Sequence, residues 1–195
     1  ILKDGKCPSK VIPSYRPDKA LNIEKPDFAS YIAKLGESAT MKIESVEDLV
    51  NALASRLDYF VLLGCKASDH ALMTCPHTFL SEDKVNEIFK NKLNGVEPTK
   101  EEADGYRTYL LSKLAKLYKD RNIAMQLHFE SIRDNNKKMY AILGPDTGFD
   151  ATYDETISLG VSEFFASLSN NDSIPKTILY SLNPKDYYPL ATLMG

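Results

Sequence analysis

Residues able to do chemistry gather where apolar runs of this chain give way to charge. The stretch IAMQLHFESIRDNNKKMYAILGPDTGFD, residues 123–150, begins as a buried-strand run and then presents His128, Glu130, Arg133 and Asp134 in quick succession. Polar groups at the exit of a buried strand are where α/β proteins usually place their active sites. Upstream, Asp69 and His70 adjoin in ASDHAL. An Asp-His pair can provide a general base, a metal ligand or a proton relay. Ser68 and Asp69 would equally suit a helix cap. Arg16 lies in PSYRPDKALNIE, where Pro13 and Pro17 stiffen the chain. An arginine so held can grip a carboxylate or phosphate through two parallel hydrogen bonds. A structural salt bridge to Asp18 is the plainer alternative. Alternation places His128 on one strand face with Gln126, from which it could reach a central pocket or sit as an ordinary core histidine. His77, after Cys75-Pro76, has no partner pattern.

Four apolar segments could carry these residues as strands: 9–14 (SKVIPS), 63–67 (LGCKA), 123–129 (IAMQLHF) and 176–182 (KTILYSL). Helical patterns lie between them. Residues 45–62 open with the S-x-x-D cap SVED and place Leu49, Leu53 and Leu57 on one face. Residues 81–93 open at Ser81 and stop at Asn94-Gly95. Residues 99–120 open with the capping box TKEE, and 157–169 carry Phe164, Phe165 and Leu168 inward. Asn183-Pro184 suits a turn and helix start. Strands alternating with helices predict an α/β fold with a parallel sheet. Their spacing exceeds the ~30 residues of a bare βαβ unit, so the connections carry extra helices and loops. A closed (β/α)₈ barrel needs ~250 residues. The chain therefore predicts a single domain over 1–195 that makes either about half a barrel or a small open sheet.

Bulk properties exclude several classes. At 43% hydrophobic and 26% charged, the chain has ordinary globular usage. A net charge of −3 with no long basic run gives no case for nucleic acid. No apolar run approaches the ~20 residues of a membrane span, and the sequence reads without a charged-then-apolar secretory pattern. Three cysteines, Cys7, Cys65 and Cys75, without CxxC spacing predict a reduced, cytoplasmic protein with no metal cluster. The first residue, Ile1, reads as the start of an excised or processed piece. HxH, HExxH, G-x-S-x-G, GxGxxG and GxxxxGK[ST] are all absent, which removes the usual handles of hydrolases and nucleotide binders.

Taken together, the strand-exit pieces resemble one family. KVIPSYRPDKALNIE at 10–24, YIAKLGE at 31–37, RLDYFVLLGCKASDHAL at 56–72, MQLHF at 125–129, LGPDTGFD at 143–150 and PKTILYSLNP at 175–184 occur in the order found in the uronate (glucuronate) isomerases, and LATLMG closes the chain. These are metal-associated members of the amidohydrolase superfamily built on a (β/α)₈ TIM barrel. The resemblance implies a partial barrel, about strands four to seven with extra helices. It implies aldose–ketose isomerisation of a hexuronate, glucuronate to fructuronate or galacturonate to tagaturonate. By the same resemblance Arg16 holds substrate, Asp69 stands near the reacting carbons and His128 assists at the sugar. His70 and Arg133 match as further substrate-binding positions.

The same comparison implies a divalent metal in the full-length family, zinc being the expected ion, with ligands that this chain lacks. The metal-binding HxH of the first barrel strand would lie upstream of Ile1, and the aspartate and arginine of the last strand downstream of Gly195. The chain is then expected to be a fragment inactive alone, with exposed barrel edges open to self-association. The second reading is a non-catalytic sugar-acid-binding or assembly domain derived from the family. One local departure stands out: the family pattern HFGALRNNN reads HFESIRDNN here, so Glu130 replaces a glycine and Asp134 an asparagine. A glutamate at the pocket lip is expected to add bulk and negative charge near an anionic substrate.

Overall fold

Side-chain caps set where the main helices begin. In the computed structural model, which describes residues 9–194, the Ser45 hydroxyl accepts from the Asp48 N–H and the Asp48 carboxylate accepts from the Ser45 N–H, a closed capping box. Thr99 and Glu102 repeat the device, and Ser81 accepts from the Lys84 N–H. The elements run α1 Asp18–Leu21, α2 Phe28–Ala39, α3 Val46–Leu62, β1 His70–Leu72, α4 Glu82–Leu93, α5 Lys100–Asp120, β2 Met125–Phe129, β3 Ser131–Ile132, α6 Lys137–Leu143, β4 Ala151–Thr152, α7 Ser158–Asn170, β5 Thr177–Ser181, a 3₁₀ turn Pro184–Asp186 and α8 Tyr187–Thr192. The predicted helices 45–62, 81–93, 99–120 and 157–169 thus become α3, α4, α5 and α7. Helix α2 has no cap signal: Asp27 precedes it without a side-chain cap bond.

Two strand expectations need correction. Residues 9–14 form no strand. Pro13 offers no N–H, and Val11 and Ile12 lie half-exposed. Pairing starts only at Tyr15, which bridges Ser68 in parallel. The second segment is displaced toward the C-terminus, because Leu63 and Gly64 finish α3 instead. Gly64 takes φ +91°, a left-handed exit that favours glycine. Its N–H bonds Val61 O, and the Cys65 N–H bonds Phe60 O. Pairing resumes at Ala67, which bridges Ala124, and continues into β1 at His70–Leu72. His70 is therefore inside a strand and not in the loop beyond it.

The sheet has order β1-β2-β5, all parallel, with Tyr15 adding one rung outside β1. Neighbours follow chain order without the reversal of a doubly wound sheet. Strand alternation gives the sheet two chemical faces. Met125, Leu127 and Phe129 enter the buried core shared with the helices, whereas His128 on the alternate face is exposed. Parallel register puts Ala71, His128 and Tyr180 level with one another on that open face. His70 is level with Leu127 and Leu179 on the helix-packed face. A small antiparallel ribbon, β3 with β4, carries the chain over residues 133–150 and back. Among the described residues, no helix is long and apolar enough to cross a membrane.

Behind the sheet the helices meet through aromatic rings. Phe28 of α2 packs edge-on to Phe89 of α4 and Tyr106 of α5, at centroid separations of 6.1 and 5.9 Å. Cys65 and Cys75 are buried free thiols; Cys7 lies outside the described residues. Burial, then the charge of Asp104, pushes the Cys75 thiol far up, so it is an inert core group and no nucleophile.

Candidate active site

On the open face of the sheet, Asp69 stands between a guanidinium and an imidazole. Arg16 Nη1 donates to Asp69 Oδ2 at 3.1 Å, and His128 Nε2 lies 2.9 Å from Asp69 Oδ1. The first residue comes from just beyond the Tyr15 rung, the second from the β1 track and the third from β2. Parallel pairing in chain order is what makes residues 16, 69 and 128 neighbours. The cap alternative for Asp69 fails because no helix begins there. The salt-bridge alternative for Arg16 holds as well, since its Nε donates to Asp18 Oδ2 at 3.1 Å. That leaves part of the guanidinium free: the Arg16 side chain is 48% exposed and that of His128 46%. Asp69 Oδ1 is buried without an aligned hydrogen-bond donor although the His128 ring lies beside it, and the Asp69 side chain as a whole is partly exposed. A carboxylate so placed can take a proton beside a carbonyl, while the histidine stabilises the oxyanion that forms and the arginine grips an anionic group.

Tyr180, for which the sequence carries no signal, and Gln126, which strand alternation puts beside His128, complete this face. The Tyr180 ring stacks on His128, with centroids 4.3 Å apart and planes 4° from parallel. Its hydroxyl donates to Gln126 Oε1 at 2.8 Å, and Gln126 Nε2 donates to Ser68 O at 3.1 Å. The His128 ring is thus fixed in tilt by its neighbour in the next strand. Only strand register shows this, because 54 residues separate Tyr180 from Gln126. From His128 and Tyr180 a cavity of about 1050 Å³ extends past Ile178, Leu182, Phe165 and Tyr187. Its apolar walls suit covering polypeptide better than a charged sugar.

The other predicted site residues lie elsewhere. His70 is fully buried on the helix side, its Nδ1 2.9 Å from Asp18 Oδ1 and its Nε2 3.0 Å from the Tyr118 hydroxyl. Burial alone would raise the Asp18 carboxyl. The hydrogen bond from His70, the Ala71 N–H and Arg16 outweigh that and hold it below the usual carboxylate range. Arg133 pairs with Asp150 at 2.8 Å and Asp146 at 3.6 Å, both from the LGPDTGFD loop. It organises that loop and does not touch the Arg16–Asp69–His128 cluster. Among the described residues, no group of three or more His, Cys, Asp or Glu is placed to hold a metal. One carboxylate and one imidazole fall short of the three protein ligands of a catalytic zinc site. The residues present therefore do not fit the implied metal by themselves.

Glu130 overturns the expectation of an acid at the pocket lip. Its backbone takes φ +73°, and that of Asp134 φ +52°, left-handed values that explain a glycine and an asparagine in the family pattern. The Glu130 side chain is wholly buried. Oε2 accepts from Ser181 Oγ and from the Asn183 N–H, tying the β2 exit to the β5 exit. Burial, then a hydrogen bond shared with Asp186, raises the Glu130 carboxyl. Asp186 is also pushed up by burial. The Glu130 hydrogen bond and Lys185 prevail and hold it low.

The sign of the pH effect follows from the raised group. Stabilisation from protonated Glu130 is full below its unfolded value near ~4.3 and is lost as pH rises through the native one. Asp186 works oppositely, contributing above its unfolded value near ~3.9 and losing that contribution in acid. Glu130→Gln keeps the acceptor and supplies a permanent donor toward Asp186. Urea midpoints are expected to favour the variant increasingly as pH rises above the unfolded value near ~4.3, and parallel midpoint curves would contradict a raised Glu130.

A parallel sheet wound in chain order, with helices on one face and an acid–imidazole–guanidinium cluster on the other, defines an α/β protein of the sequentially wound class. The chain belongs to the glucuronate isomerase family, whose model matches residues 1–195. It is 48% identical to the uronate isomerase of Caldicellulosiruptor saccharolyticus over 195 residues, 100% of this chain and 42% of that protein. It is 45% identical to the uronate isomerase of Brachyspira hyodysenteriae over 191 residues, 98% of this chain and 41% of that protein. The crystal structure of the Thermotoga maritima uronate isomerase superposes with a TM-score of 0.86 at 28% identity, covering 93% of this chain and 40% of that one. The Caulobacter crescentus glucuronate isomerase gives 0.82 at 25% identity, covering 92% and 37%. The chain thus spans about two-fifths of the length of the relatives it matches.

Proposed function

We propose that this chain is the central segment of a cytoplasmic uronate isomerase and supplies about strands four to seven of its eight-stranded barrel. The observation that carries the reading is Asp69 held between Arg16 at 3.1 Å and His128 at 2.9 Å on the open sheet face. Isomerisation of glucuronate to fructuronate, or galacturonate to tagaturonate, moves a proton between C2 and C1 through an enediol. Asp69 is the group placed to move that proton. Arg16 holds the sugar acid by charge-assisted hydrogen bonds. His128, steadied by Tyr180, donates to a sugar oxygen as charge develops there. The divalent metal implied by the family draws its ligands from outside this chain, and none of these roles depends on it. Covering polypeptide closes the apolar cavity beside β5. In its absence the exposed Ile178, Leu182 and Tyr187 favour self-association of the isolated chain.

Arg16→Met in the complete isomerase tests the anchoring role. One charge-assisted hydrogen bond is worth ~1.5–3 kcal/mol, so KM is expected to rise about 10- to 150-fold with kcat little changed. An unchanged KM would remove Arg16 from the substrate site.

A further inference from the structure

The Arg16 guanidinium is held from behind by a line of buried groups. Arg16 Nε donates to Asp18 Oδ2, which also accepts from the Ala71 N–H at 2.9 Å. Asp18 Oδ1 meets His70 Nδ1, and His70 Nε2 meets the Tyr118 hydroxyl on α5. His70 and Tyr118 are fully buried, and Asp18 is nearly so. No substrate can reach His70 from the open face.

We propose that Asp18, His70 and Tyr118 form a positioning relay that runs from the helix layer through the sheet to fix Arg16, so that His70 acts on substrate only through that arginine. The line is self-consistent in its protons. With His70 neutral, Nδ1–H donates to Asp18 and Nε2 accepts from the Tyr118 hydroxyl, which leaves every ring nitrogen satisfied. Asp18 then carries the charge that faces Arg16. An arginine on a free loop would lose several rotors on binding; one already held by its Nε loses fewer, so its remaining N–H groups meet an anion pre-aimed. The inference rests on the reading of Arg16 as the substrate anchor, but its physical core does not require sugar.

Measurements on the complete protein test it. Nitrogen NMR of His70 is expected to show the Nδ1–H neutral tautomer; an Nε2–H tautomer would overturn the relay. Hydrogen exchange of the Arg16 Nε–H is expected to be slow and to quicken about fivefold, the worth of one ordinary hydrogen bond, in Tyr118→Phe and more in Asp18→Asn. Tyr118→Phe keeps the buried ring, so it decides the matter if Asp18→Asn fails to fold. A folded Tyr118→Phe variant with unchanged Arg16 exchange would overturn the proposal, because a merely structural tyrosine would lower stability and leave Arg16 alone. In the complete isomerase, Tyr118→Phe is expected to raise KM about fivefold at nearly constant kcat. A fall in kcat with KM unchanged would overturn it. Absence of turnover in the wild-type complete protein would instead refute the isomerase reading and leave the exchange result standing.

Discussion

Asp69→Asn is expected to lower hexuronate turnover by the complete isomerase about 10²- to 10⁴-fold, the range of a lost general base. The substitution preserves shape. Asparagine still offers an oxygen to Arg16 Nη1, now 3.1 Å away, so the arginine keeps its place and KM shifts little. What disappears is the carboxylate that takes the proton, on a partly exposed side chain beside His128. The measurement is steady-state kinetics on glucuronate and galacturonate, with deuterium at C2 to report proton transfer. A loss of less than about tenfold would assign proton transfer to another group.

Tyr106→Ala is expected to destabilise the fold by about 3–5 kcal/mol, the usual cost of deleting a fully buried aromatic ring. Tyr106 is completely buried, stacks at 6.3 Å on Phe89, meets Phe28 edge-on and donates its hydroxyl to Ala20 O at 2.8 Å. That last bond ties α5 to α1, the turn that carries Asp18 beside Arg16. Loss of the ring therefore loosens the back of the site as well as the core. Tyr106→Phe keeps the ring and loses one hydrogen bond, for an expected cost near ~1 kcal/mol. Urea midpoints separate the two. Equal losses would place the weight on the hydroxyl, and a small loss for alanine would contradict the packing.

The parts of this architecture legible in the sequence are those written locally. Ser45 with Asp48 and Thr99 with Glu102 announce α3 and α5, because a capping box needs residues only three apart. Helix α2 has no such box: Asp27 precedes it without a side-chain cap bond. The start of β1 is hidden because Leu63 and Gly64 are apolar enough to read as strand, yet serve to end α3. The site divides in the same way. Arg16, Asp69 and His128 stand out by residue type, and the structure brings them together. Their supports, Asp18 toward His70, Tyr180 and Tyr118, are set by register across more than 45 residues, which no local pattern records. Glu130 shows the converse. The glycine it replaces was visible by resemblance, but the direction of its side chain, inward to Ser181 and Asn183, follows from the left-handed backbone there.

The decisive measurement is isomerisation of glucuronate and galacturonate by the full-length polypeptide and by residues 1–195, side by side with divalent metal supplied. Ketose formation by the full-length protein and none by the isolated chain is the expected result. No turnover by a folded full-length protein, or turnover by residues 1–195 alone, would contradict the assignment of this chain as the central segment of a uronate isomerase.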